Sequence, residues 1–314
     1  MRLNKTYKKN IFLLLIGLLA VIIVLVTPLT RLYISKIILS YQLGLLPGAV
    51  IKMLDEKTSF NIYEEKNHKK SAQLITKYMN FVVNPVNGRF DAGPSYSLLY
   101  GNVWCDTQNN ILNTLFEHIN LKSYLIFLYN NKNISPHTLS FVNFDNITIP
   151  SKKSERIKVW RYVYNKLYVM DAQNLYIPIL NNQIVNIEKM INNENNFINY
   201  VKLDSDQVKL NLIKNKKAEV FRENILKKDS NIFRNFFFNL SQVIPSKFTK
   251  KIVEFGIKIN PDFSMEQKIY YLGRLNFVFL DYYNANIFFD QLLIDSKYFV
   301  LSNYYKNKTF NVNL

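Results

Sequence analysis

The chain has 314 residues, of which 48% are hydrophobic and 15% aromatic, and its 40 lysines and arginines against 23 aspartates and glutamates give a formal charge of +17. That length allows one sizeable core with accessory structure, and with only 8 glycines and 9 prolines no long disordered linker is expected. A single cysteine excludes an internal disulfide, and no Cys/His cluster of metal-ligand spacing and no Gly-rich phosphate loop is found, so neither metal nor cofactor is expected.

The run from Ile11 to Thr30 carries no charge and is dominated by Leu, Ile and Val. At about 1.5 Å per residue it is long enough to cross a bilayer core. Arg2, Lys5, Lys8 and Lys9 precede it, and only Arg31 and Lys36 follow closely, so residues 1–31 read as a single-pass membrane anchor with a cytoplasmic N-terminus and an extracytoplasmic body. A cleavable signal peptide is the rival, but no small-x-small site follows cleanly. Leu32 to Leu54 is a second apolar stretch, broken by Lys36, Gln42, Gly44, Pro47 and Gly48. It reads as an interfacial helix or as a helix packed on the core. Glu56 to Lys70 is mostly polar and reads as a hinge closing a membrane-proximal unit, residues 32–75. A helix near Ser71 to Val83 follows.

Cys105 sits in Gly101-Asn102-Val103-Trp104-Cys105-Asp106-Thr107-Gln108. Beyond it Ile111, Leu112, Leu115, Phe116 and Ile119 recur at helical spacing, which puts the thiol in the first turn of a one-face-buried helix. Unpaired backbone N–H groups and the positive end of the helix dipole favour a thiolate there, and the Cys105 N–H could serve as one of two oxyanion donors. Tyr100, Asn102 and Trp104 are candidates for the second by position. His137 opens the strand-like run Thr138 to Phe144, and Asp171 closes Leu167-Tyr168-Val169-Met170. If those two strands pair antiparallel, Asp171 can orient the His137 imidazole, giving Cys105 as nucleophile, His137 as general base and acid, and Asp171 as the group that fixes the tautomer. A parallel arrangement would separate them. His68, in a polar run, and His118, at the helix end with a solvated or dipole-facing role, are the weaker alternatives.

These residues resemble the transglutaminase-like superfamily, which has a papain-like cysteine-hydrolase core. The resemblance covers about residues 76 to 180, through Phe90-Asp91-Ala92-Gly93-Pro94, Gly101 to Gln108, His137-Thr138 and Val169-Met170-Asp171. It implies an α+β fold in which a cysteine-bearing helix packs on an antiparallel sheet, here with an N-terminal transmembrane helix and a mixed C-terminal extension. It also implies acyl transfer through a thioester, to water in a peptidase or amidase or to an amine in a transglutaminase. Two features depart from the family. Asn120-Leu121-Lys122-Ser123-Tyr124 stands where many relatives have a Gly-Ile-x-x-Arg-like turn, so no arginine role is carried over. A long connection from Asn146 to Tyr164, with the alternating run Ile157 to Tyr164, separates the His and Asp strands.

The catalytic core is accordingly expected over residues 76–185, with the asparagine-rich Asn181 to Asn199 marking its end and residues 186–314 forming an extension. Within that extension Asn231 to Ile252 combines aromatics with lysines in a way that suits either a membrane interface or a buried stripe, and Tyr298-Phe299-Val300-Leu301 reads as strand-like. The basic charge would attract anionic lipids, acidic glycans or nucleic acid, but the lysines are scattered and no nucleic-acid-binding motif is present. The expected partners are a peptide, protein or surface-polymer amide as substrate and membrane lipids through the N-terminal helix. Hydrolysis is favoured over crosslinking by analogy with bacterial-looking members of the superfamily. The alternative is a noncatalytic binding or scaffold module in a membrane-associated assembly.

Overall fold

The computed structural model describes residues 38–85, 93–128, 137–147, 166–192, 218–224 and 232–311. Among them no helix is long and apolar enough to cross a membrane. The Ile11–Thr30 run, Phe90 to Ala92 and the Ile157–Tyr164 run lie outside the described residues.

Helical residues 38–44 (α1) lead into α2, Leu46–Lys57. Leu46, Ala49, Val50, Ile51 and Leu54 are all fully buried, so this part of the second apolar stretch is a core helix rather than an interfacial one. Gly48 lets neighbouring elements approach it closely, since a Cβ there would overlap the Ser241 side chain. The polar stretch 56–70 is folded back rather than hinge-like. Asp55 Oδ1 accepts from Ile62 N at 2.8 Å, Ser71 Oγ donates to Ile62 O at 2.9 Å, and Ile62 is buried. α3 then runs His68–Val82.

A parallel bridge joins β1, Asn84–Pro85, to β2, Asn102–Val103, around the short helix α4, Pro94–Tyr100. α5, Cys105–His118, packs on an antiparallel four-stranded sheet in the order β5-β4-β3-β8. Its strands are β3 Ser123–Leu128, β4 His137–Val142, β5 Tyr168–Met170 and β8 Ala218–Asn224. β3 and β4 pair from Ser123↔Val142 to Leu128↔His137, and β4 and β5 from Ser140↔Met170 to Val142↔Tyr168. Asn181 and Asn182, with φ of 50° and 60°, turn the small hairpin β6 (Ile179–Leu180) and β7 (Gln183–Ile184). Positive φ at both turn residues is what a two-residue hairpin needs, and asparagine tolerates it. A short helix, α6, covers Ile187–Asn192.

The last eighty described residues, 232–311, carry five helices: α7 Ile232–Val243, α8 Ser246–Ile259, α9 Met265–Val278, α10 Tyr282–Phe289 and α11 Lys297–Asn303. The strand-like Tyr298–Leu301 lies in α11. Ser296 caps that helix by accepting from Tyr298 N, and Tyr298, Ser302 and Tyr305 are buried at helical spacing while Val300 is exposed. α8 packs on α2 and α9 packs on α4, and one apolar cluster runs from Leu39 to Tyr305. The helices after residue 232 therefore share a core with the segment that carries Cys105.

Candidate active site

Cys105 is the first residue of α5. Trp104 before it is extended, at φ −77° and ψ 168°, and its carbonyl accepts from Gln108 N at 2.8 Å. Ile111, Leu112, Leu115, Phe116 and Ile119 are all fully buried, and that apolar stripe fixes which way the first turn faces. The thiol is partly exposed and free. The N–H of Cys105 has no intrahelical acceptor, as at any helix start. Asp106 Oδ1 takes the Thr107 N–H at 2.8 Å, so the acidic neighbour satisfies one first-turn donor.

Asn109 joins this turn to the sheet. Its Nδ2 donates to Cys105 O and to Thr138 O, both at 2.9 Å, and Ser140 Oγ donates to Asn109 O at 3.2 Å. One helical turn thus separates the thiol-bearing residue from a direct contact with the residue after His137. Sequence reasoning did not single out Asn109, although a polar residue four positions from Cys105 on a core-facing stripe was the available signal.

β4 and β5 run antiparallel, so the start of the His137 strand lies beside the end of the Asp171 strand. Extending the register one residue past Ser140↔Met170 sets Asp171 opposite Leu139, two positions along β4 from His137. The His137 side chain lies outside the described residues. Position 137 has the strand parity of Leu139 and Phe141, while Ser140, of the other parity, meets α5. Asp171 is fully buried. Its Oδ1 accepts from Gln173 N at 3.0 Å and its Oδ2 from Asn174 Nδ2 at 2.8 Å, bonds that hold it in a tight turn closed by the Asp171–Tyr176 bridge.

The other histidines have structural settings. His118 is buried rather than solvated. Its ring stacks on Phe238 with centroids 4.4 Å apart and its Nδ1 is bonded to Gln242 Nε2 at 2.9 Å. His68 opens α3, and burial holds its pKa below the ordinary histidine value. Of the three candidates for a second oxyanion donor, Asn102 is committed: its Nδ2 donates to Tyr270 Oη at 2.8 Å inside the core. The Tyr100 carbonyl accepts from Tyr270 Oη at 2.8 Å, and Trp104 is exposed beside Cys105.

Behind the cysteine segment lies a clamp that the sequence does not announce. Arg274 of α9 is fully buried. Its Nη2 donates to Val82 O at 2.6 Å and Leu98 O at 3.1 Å, and its Nε donates to Leu99 O at 3.2 Å. Those carbonyls are the C-terminal ends of α3 and α4, where unpaired acceptors and the negative end of the helix dipole favour a cation. The guanidinium also lies 3.9 Å from the Tyr305 ring centroid. Gly101, at φ +83°, ends α4, and a Cβ there would overlap the guanidinium, so both conformation and space require glycine. Tyr305 Oη donates to Gly101 O at 2.7 Å. Burial raises the Tyr305 phenol to about 12 despite the nearby arginine charge, so it is a neutral donor at neutral pH.

A cavity of about 400 Å³ opens between α1 and the start of α4, lined by Leu39, Leu43, Pro94, Tyr96, Asp262 and Phe263 among others. Neither Cys105 nor Asp171 lines it. Among the described residues no group of acidic, histidine and cysteine side chains could hold a metal ion.

No protein-family model matches this chain, and no curated protein and no solved structure is significantly similar to it. The resemblance of the Cys105, His137 and Asp171 segments therefore stands on those residues alone.

Proposed function

We propose that this is a membrane-anchored, transglutaminase-like cysteine enzyme that acts on an amide or ester of a peptide, protein or surface polymer, with hydrolysis preferred to crosslinking. The observation that carries the reading is the junction of α5 with β4. Cys105 starts a buried-stripe helix whose next turn is bonded through Asn109 to Thr138, and Asp171 directly follows the antiparallel β5, opposite Leu139 near the start of β4. In this reading Cys105 is the nucleophile, its own N–H and a second donor receive the oxyanion, His137 moves the proton, and Asp171 holds the imidazole. Attack joins sulfur to the carbonyl carbon. Collapse expels the amine or alcohol, protonated by His137, and water or a second amine then cleaves the thioester.

The Ile11–Thr30 run is the proposed anchor, with the body on the extracytoplasmic side. A noncatalytic binding module is the competing reading, and two observations favour it. Position 137 has the strand parity opposite to that of Ser140, which meets α5. Asp171 already has a structural task in its own turn, which a scaffold needs as much as a triad does.

The rate of Cys105 alkylation against pH, in wild type and His137→Ala, separates the two. The enzyme reading expects alkylation to begin well below the unperturbed thiol pKa of about 8.5 and to return toward it without His137. Identical profiles in both proteins would favour the binding module. Because position 137 has the parity opposite to Ser140, this pairing of thiol and imidazole is the step the experiment tests most directly.

A further inference from the structure

We infer that the exposed apolar face of α8 lies on the surface of an anionic bilayer, seating the body of the protein on the membrane that holds its N-terminal segment. The inference rests on the anchor in the proposed function but not on the catalytic residues.

Phe248, Phe255 and Ile259 are 56%, 60% and 45% exposed, and the seven- and four-residue steps between them put all three on one side of α8. Val253, Ile257 and Thr249 are buried on another side, so the helix has met its packing requirement without these three. A contiguous exposed apolar stripe on a helix that already has a buried face marks a contact surface.

Two further observations identify the occupant as lipid. On one flank of the stripe, Lys247 and Lys251 are exposed and make no ion pair among the described residues. Lys258 on that flank is bonded to Glu254. Aromatics beside unpaired lysines match a headgroup layer of negative charge with acyl chains beneath it. On the other flank Gly256 meets α1: a Cβ there would overlap Gln42 Oε1 and would lie 3.1 Å from Leu39 Cδ1. α1 adds its own exposed Ile38 and Tyr41. It begins only seven residues, 31–37, after the uncharged Ile11–Thr30 run, a reach of at most about 25 Å. The stripe therefore adjoins the first helix to follow the anchor, and a bilayer holding that anchor is within its reach.

The test uses the full chain in phosphatidylcholine vesicles with and without phosphatidylglycerol. A Cys105→Ala background carries either Phe255→Cys or Ile294→Cys, labelled with an environment-sensitive nitrobenzoxadiazole. Ile294 is 81% exposed in the turn between α10 and α11 and serves as the aqueous reference. The expected result is a blue-shifted label at 255 that brominated lipids quench several-fold more than the label at 294. Lys247→Glu with Lys251→Glu should return the label at 255 to the aqueous signal without changing thermal unfolding. Equal signals at 255 and 294 overturn the inference, as does a blue shift that grows with protein concentration in lipid-free detergent, which would assign the face to a second copy of the chain. Alkaline carbonate extraction reads the anchor separately. A chain that stays with the vesicles while its label at 255 remains aqueous keeps the anchor and refutes the face.

Discussion

Two fourteen-residue helices that follow one another, α8 (Ser246–Ile259) and α9 (Met265–Val278), reverse the usual placement of side chains. α8 shows phenylalanines to solvent, while α9 buries an arginine completely. The arginine is answered within the chain by Val82, Leu98 and Leu99, the carbonyl ends of two helices, although its Nη1 has no partner among the described residues. The phenylalanines of α8 have no such answer among the described residues. A buried charge with a matched set of acceptors is part of the fold, whereas an exposed apolar stripe with none of its own surface against it points outward. The same five helices thus brace the cysteine segment from behind and offer the surface proposed to meet the membrane.

The strongest way to break this comparison is Arg274→Met. The side chain is similar in length but donates nothing, so three buried carbonyls lose their donor. The expected cost is about 3 kcal/mol or more, read from denaturant unfolding followed by tryptophan fluorescence. A neutral or stabilising result would mean that the helix ends do not depend on the guanidinium. A milder change is Tyr270→Phe, which removes the bond to Tyr100 O and the acceptor of Asn102 Nδ2 while keeping the ring. About 1–2 kcal/mol is expected, and a value near zero would show that the clamp acts through Arg274 alone.

Local pattern made some of the molecule legible in the sequence. The apolar spacing from Ile111 to Ile119 is enough to draw α5 and to set Cys105 at its start, because a helix that buries one stripe writes its period into the chain. The antiparallel pairing of β4 and β5 was a condition stated from sequence, and the register meets it. What stayed hidden depends on partners distant along the chain. Arg274 lies in the mostly apolar run Tyr270 to Val278, but its acceptors are up to 192 residues away, and hydropathy alone sends an arginine to the surface. His118 looked solvated because its stacking partner Phe238 and its hydrogen-bond partner Gln242 come from α7. Tyr298 to Leu301 favoured a strand by β-propensity, and the helix-capping Ser296 just upstream was the overlooked local sign.

The smallest expected effect concerns an ion pair that ties α8 to the turn following α9 and that titrates. Lys250 of α8 donates to Asp281 Oδ2 at 2.7 Å, just beyond the end of α9, and Asn284 donates to the same carboxylate. Partial burial works to raise the Asp281 pKa, but the hydrogen bonds from Lys250 and Asn284 and the lysine charge outweigh it, so the net shift is downward. A carboxylate with a folded pKa below its unfolded value contributes stability above the unfolded pKa and loses it as the pH falls through the folded one. Asp281→Asn isolates that charge, because asparagine can still cap α10 as Asp281 does. The pair is partly solvent-screened, so the variant should lose only about 0.5–1 kcal/mol at neutral pH. The difference should vanish once the pH falls below the carboxylate range. A difference that persisted in acid would assign the effect to the shape of the α10 cap, and α8 would then be held to the core by its buried face alone.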